Sequence, residues 1–93
     1  LLEAGSNPEA VDDYNNTPLH LASFAGNFLI VEYLLMLGVD IKIRTIDHKT
    51  AVDLAVEMHR YSVLDVFELF ITSEPKYRDF SDEFHVALKN LEE

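Results

Sequence analysis

The sequence lacks cysteine and has only three glycines and three prolines in 93 residues. Without cysteine, neither a disulfide scaffold nor a thiolate zinc site can form. The glycines are isolated from one another, which excludes a glycine-rich loop that cradles phosphate. Hydrophobic residues make up 48% of the chain and aromatic residues 11%. This composition is typical of an ordered globular chain rich in helix formers.

Positive charge is also scarce: the chain contains 7 Lys and Arg but 17 Asp and Glu, which gives a formal net charge of -10. Nucleic acid and anionic membranes would repel such a chain, whereas basic partners are compatible with it. The longest apolar stretch, residues 28–37 around Glu32, is too short to span a bilayer, and the first ten residues contain no signal-peptide pattern. We therefore expect an intracellular chain, in the cytoplasm or nucleus, without membrane insertion.

The sequence matches itself at an offset of 33 residues. Residues of small or apolar type recur at this spacing: Leu1, Leu2 and Gly5 align with Leu34, Leu35 and Gly38, and Thr17, Leu21 and Ala22 align with Thr50, Leu54 and Ala55. Matches at one fixed offset indicate a supersecondary unit that is used several times.

Capping and turn residues predict two helices in each unit. Thr17 is suited to an N-cap and Pro18 to the first helical position. Gly26 and Asn27 then interrupt the chain, and a second helix is predicted from Phe28 to residue 37, before Gly38. The predicted unit is therefore helix, turn, helix and extended loop.

These residues resemble the ankyrin repeat. The run Thr17-Pro18-Leu19-His20-Leu21-Ala22, followed by Gly26 and Gly38, is similar to the repeat's signature at its 33-residue period. The resemblance covers about residues 1–71. It implies an all-α fold, an ankyrin-repeat solenoid of stacked helix-turn-helix units with short hairpin loops.

The second copy departs from this pattern, and the departures predict how the array ends. Asp53 replaces His20, Glu68 replaces Leu35, and the last helix of this copy should continue until Glu74 and Pro75. After Ser81 as a cap, an apolar stripe at helical spacing predicts another helix: Phe84, Ala87, Leu88 and Leu91. We predict a single domain with a partial repeat (1–11), a repeat (12–44), a divergent repeat (45–77) and a terminal capping helix (78–93).

His20 is the first candidate for chemistry, as a general base or a metal ligand, but no nucleophile or ligand set stands at usable spacing. The resemblance instead implies that it ties neighbouring loops together. We assign structural roles to seven residues: Thr17, Pro18, His20, Gly26, Gly38, Thr50 and Asp53. Other combinations, including Glu57 with His48 and His59, follow no known metal pattern. We therefore predict no catalytic residue, no metal, no cofactor and no enzymatic activity.

The resemblance implies that a partner protein or peptide binds to the hairpin tips and the inner helix of each unit. The matching positions are Asp13, Tyr14, Asn16, Phe24, Arg44, Ile46, Asp47, Lys49, Glu57 and Met58. Aromatic and methionine side chains supply most anchors in interfaces. The predicted function is therefore that of an interaction module, an adaptor or scaffold. The alternative is a structural spacer within a larger enzyme or channel.

Helical periodicity predicts a second apolar face. It lies opposite the core side of the helix predicted for residues 28–37 and continues on the equivalent helix one period later. Its members are Leu29, Tyr33, Met36, Val66 and Leu69. Another domain, another copy of the chain or a missing part of the array could cover it, as could residues 72–93 by folding back. Residues 61–93 contain eight acids and three bases, a net charge of -5, so the expected partner is basic or amphipathic. Self-association remains open.

Overall fold

The computed structural model describes residues 8–92, with the side chain of Glu92 left aside. Five α-helices are present: α1 (Pro18–Ala25), α2 (Phe28–Met36), α3 (Ala51–Glu57), α4 (Tyr61–Ser73) and α5 (Ser81–Leu88). Two 3-10 helices, Pro75–Phe80 and Lys89–Glu92, flank α5. No strand occurs in residues 8–92, and the prediction of an all-α fold is confirmed. The predicted partial repeat lies largely outside the described residues, including Leu1 and Leu2.

Matching capping boxes start α1 and α3. In each, a threonine hydroxyl accepts the backbone N–H three residues later: Thr17 from His20 at 3.3 Å and Thr50 from Asp53 at 3.2 Å. The side chain of that later residue accepts the threonine N–H in return, at 3.0 Å in both helices. Histidine and aspartate are therefore equivalent here, because each offers an acceptor to an N–H that the helix leaves unpaired.

The helices form two rows. Helix α1 packs on α3 and α3 on α5 to give an inner row, while α2 packs on α4 to give an outer row. Between the rows lies a core of fully buried apolar side chains that includes Val31, Leu34, Val52, Val63 and Phe67. Such a stack buries an apolar face that a single helix pair would expose.

The last helix of the divergent copy continues to Ser73 and ends before Pro75, which confirms the predicted extension of α4. Glu68 is exposed, although Leu35, its equivalent in the first copy, is buried against the core. A polar residue at this position suits a surface that faces water.

A 3-10 helix, Pro75–Phe80, replaces the hairpin that precedes each earlier inner helix, and it leads directly into α5. Tyr77 and Phe80 are buried, and the Tyr77 hydroxyl donates to the carbonyl of Val39 at 2.8 Å. Ser81 is not the cap of α5, contrary to the expectation from sequence. The reason is that Ser81 already has helical backbone angles, φ -55° and ψ -44°, on leaving the 3-10 helix. Repeat boundaries remain a prediction.

Candidate protein-binding surfaces

His20 is 1% exposed and connects the two hairpin loops, residues 12–16 and 45–49. Its Nδ1 accepts the Thr17 N–H, so the neutral ring carries its proton on Nε2, which lies 3.2 Å from the Lys49 carbonyl oxygen. Burial lowers the pKa of His20 below its usual value, although the hydrogen bond to the Lys49 carbonyl opposes this shift. Burial therefore favours the neutral form of the ring, and both of its nitrogens have hydrogen-bond partners.

The hairpin tips are joined side by side. The Ile46 N–H donates to the Tyr14 carbonyl at 3.1 Å, and the Asn15 side-chain amide donates to the Arg44 carbonyl at 2.6 Å. The ring of Tyr14 and the side chain of Ile46 remain exposed next to this connection. Fixed tips with exposed apolar side chains are suited to binding, because little conformational entropy is lost when a partner docks.

The inner row of helices contributes two further exposed apolar side chains. Phe24 lies on α1, and Met58 lies just after α3. The Arg60 side chain donates to the carbonyl of Phe24 at 3.0 Å and so joins the end of α1 to the next repeat. We call the surface made by the hairpin tips and the inner row the inner face.

Both predicted cations of the inner face are paired with acids. Lys49 forms a salt bridge with Glu57, and Arg44 lies 3.5 Å from Glu83. Asp13 and Asp47 are exposed, while the Asn16 side chain donates to Asp12, whose pKa is lowered by the hydrogen bond from the backbone of Asn16. The unpaired charge offered to a partner on this face is therefore negative.

Two depressions deepen the inner face. One, of about 440 Å³, lies below the second hairpin and is lined by Asp47, Lys49, Asp53 and Glu57 among others. The other, of about 320 Å³, lies between that hairpin and α5, where its lining includes Arg44, Asp82, Glu83, Val86 and Asn90. Sequence reasoning missed the contribution of α5. Phe84 to Ala87 align with Leu19 to Ala22 of the inner helix α1 at an offset of 65 residues, and this alignment is the signal that indicates an inner-row position for α5.

The second predicted surface is only partly open. Leu29, Tyr33, Met36 and Leu69 are 50–70% exposed, and we call these four residues the outer stripe. Val66 does not belong to it, because Val66 is half-buried and packs against the core. Residues 72–92 do not fold back over the stripe, because its side chains stay exposed and the buried Tyr77 instead donates its hydroxyl to the Val39 carbonyl.

Residues 8–92 contain neither a cluster of metal ligands nor a membrane-spanning helix. That part of the chain brings together no group of three His, Asp or Glu able to hold a metal ion. None of the described helices is long and apolar enough to cross a bilayer.

Stacked helix pairs with joined hairpin tips define a helical repeat solenoid. The family model described as "Ankyrin repeats (many copies)" matches residues 1–55, which is more than half of the sequence. The chain therefore belongs to the ankyrin repeat family. Ankyrin repeats are generally protein-interaction modules, and the family is typically not enzymatic.

One relative is a Fowlpox virus (strain NVSL) protein named as an ankyrin repeat protein, which is 39% identical over 61% of this chain. Another is a Danio rerio protein named as a palmitoyltransferase, which is 32% identical over 82% of this chain. The chain spans only 8% and 12% of their lengths. A solved complex of a Bdellovibrio bacteriovorus predatory endopeptidase with an immunity protein contains a similar chain. This similarity has a TM-score of 0.65 and 30% identity, and covers 75% of this chain and 35% of that one.

Proposed function

We propose that this chain binds a partner protein or peptide through the inner face and catalyses no reaction. The observation that carries the proposal is the exposure of four apolar anchors, Tyr14, Phe24, Ile46 and Met58, on hairpins and helices that hydrogen bonds hold in place. Exposed aromatic and methionine side chains on a rigid frame supply binding free energy at low entropic cost.

The charge of the inner face supports a partner that is basic or amphipathic. Arg44 and Lys49 are already paired within the chain, whereas Asp13 and Asp47 form no salt bridge among residues 8–92. A partner with Lys or Arg near an apolar anchor would complement this pattern, and electrostatic attraction would also accelerate its association.

Selection of peptides from a random display library against the purified chain tests the proposal. We expect the selected peptides to be enriched in Lys, Arg and apolar residues. The double variant Phe24→Ser/Met58→Ser should weaken their binding by at least about tenfold in calorimetric titration. Val11→Ser, which alters an equally exposed apolar residue in the loop before α1, should leave it unchanged.

Equal binding to wild type and to the Phe24→Ser/Met58→Ser variant would overturn the proposal. Failure of the purified chain to select any binding peptide would favour the second candidate, a structural segment of a larger protein. The small fraction of the relatives' lengths that this chain spans, 8% and 12%, is the observation that favours this second candidate.

A further inference from the structure

Helix α2 is apolar on both sides. Val31 and Leu34 are fully buried on the core side, whereas Leu29 and Met36, on the opposite side, are 65% and 70% exposed. Glu32 is the single charged residue between Phe28 and Met36. A helix with apolar residues all round is usually covered on both sides, and in residues 8–92 nothing covers the outer side of α2.

Acidic side chains accompany the outer stripe at regular positions. Glu32 lies three residues after Leu29 and four before Met36, so the three side chains share one face of α2. Asp65 occupies the same position one 33-residue period later, four residues before Leu69. Both carboxylates are exposed, and neither forms a salt bridge within residues 8–92.

A second copy of the chain would not complement this surface. Five of the seven bases are engaged elsewhere: Lys42 with Asp79, Arg44 with Glu83, Lys49 with Glu57, Arg60 with the Phe24 carbonyl and Lys76 with the Gly38 carbonyl. The other two, Arg78 and Lys89, lie in the two 3-10 helices that flank α5. Two copies meeting at their stripes would bring acids against acids, and an anionic membrane would be repelled in the same way.

We propose that the outer stripe docks an amphipathic helix of a partner protein, whose apolar face is flanked by Lys or Arg. Helices α2 and α4 pack against each other in the outer row, so one docked helix can contact exposed side chains of both. An apolar face on the docked helix covers Leu29, Met36 and Leu69, and its cations reach Glu32 and Asp65. This surface is distinct from the inner face, so the chain can hold two partners at once.

Three synthetic peptides of about 18 residues, long enough for about five helical turns, test the proposal. The first places Leu on one helical face and Lys on the other, the second contains the same residues in scrambled order, and the third has Glu in place of Lys. Fluorescence anisotropy measures each affinity at about 50 and about 300 mM salt. We expect the amphipathic Lys peptide to bind at least about tenfold more tightly than the scrambled peptide, and the Glu peptide not to bind.

Four variants locate the binding. Leu29→Ser/Met36→Ser should weaken the Lys peptide by about tenfold or more. Glu32→Gln/Asp65→Asn should weaken it severalfold and reduce its salt dependence. Asp13→Asn/Asp47→Asn removes the same number of charges from the inner face, and Val11→Ser removes an exposed apolar side chain elsewhere. Val11→Ser should bind the peptide as wild type does, and Asp13→Asn/Asp47→Asn should weaken its binding less than Glu32→Gln/Asp65→Asn does.

Several results would overturn the proposal. Equal affinity for the scrambled peptide would mean that charge alone drives binding. A loss confined to Asp13→Asn/Asp47→Asn would assign the peptide to the inner face. Light scattering that detects dimers in wild type but not in Leu29→Ser/Met36→Ser would assign the stripe to a second copy. Circular dichroism of every variant ensures that a loss of binding is not a loss of fold.

Discussion

His20 illustrates how a residue type associated with catalysis can serve architecture. The Thr17 N–H points at Nδ1, so a proton added there would meet another donor. Burial adds to this effect and lowers the pKa of the ring. Since the unfolded chain binds the proton more readily, the stabilisation that His20 provides is complete above its ordinary pKa of 6.5 and declines as the pH falls below it.

We therefore predict that the free energy of unfolding falls between pH 7 and pH 5 by up to about 1.4 kcal/mol per pH unit. His20→Gln should be less stable at pH 7 by about 1–3 kcal/mol, because a buried donor loses its partner, and should show a flatter pH profile. Urea unfolding across this range measures both. Parallel pH profiles for the two proteins would contradict the prediction.

Carboxylates with lowered pKa values do not contribute to a loss of stability between pH 7 and pH 5. The hydrogen bond with Lys42 is the main cause that lowers the pKa of Asp79, and a backbone hydrogen bond lowers that of Asp12. Groups with lowered pKa values contribute stability that is present above the ordinary value of 3.8 and is lost only below it. We therefore attribute the predicted decrease in the free energy of unfolding between pH 7 and pH 5 to His20.

The hairpins show which residue-level features sequence can predict. Asn15 and His48 stand where the ankyrin pattern usually has glycine, and both adopt left-handed backbone angles, φ 62° and 64°. The repeat offset is sufficient to predict these positions. The side-chain hydrogen bond from Asn15 to the Arg44 carbonyl, 29 residues away, is not predictable in this way, because it depends on how the two hairpins meet.

At the level of elements, the departure from a regular repeat is concentrated in residues 75–80. Sequence periodicity predicts a helix around Phe84, since Ala87, Leu88 and Leu91 follow at helical spacing. The preceding 3-10 helix was not predicted, because its rings are buried through contacts distant in sequence. The Tyr77 hydroxyl donates to the carbonyl of Val39, which lies 38 residues earlier and shortly after the end of α2.

Tyr77 gives this element a measurable contribution. Burial raises the pKa of its hydroxyl from 10.0 to about 12. The unfolded chain releases this proton first, so the stability that Tyr77 contributes is complete below pH 10 and is lost as the pH rises towards 12. We predict that Tyr77→Phe lowers the free energy of unfolding at pH 7 by about 1 kcal/mol.

Alkaline titration separates this role from simple packing. Between pH 10 and 12 wild type should lose more stability than Tyr77→Phe, and the two curves should converge. The shared titration of lysines cancels in this comparison. A constant difference between the curves, measured by urea unfolding, would mean that the hydroxyl does not keep its proton in the folded chain.

At the scale of the whole molecule, the excess of acid sets the response to salt. Three salt bridges are present among residues 8–92, and every partner in them is at least 39% exposed. Exposed pairs contribute little to stability, whereas a net charge of -10 disfavours the compact state through mutual repulsion. Because salt screens both effects, the sign of its influence reveals which is larger.

We predict that repulsion dominates, so that raising KCl from about 20 to about 200 mM increases the free energy of unfolding by about 1 kcal/mol. KCl is preferred to sulfate, which stabilises proteins through exclusion from their surfaces. Lys42→Gln leaves Asp79 without its base and adds to the negative charge, so its stability should increase more steeply with salt than that of wild type. A decrease in stability with salt would show that the surface salt bridges contribute more than the repulsion. The acidic surfaces of this chain would then attract basic partners less strongly than the net charge suggests.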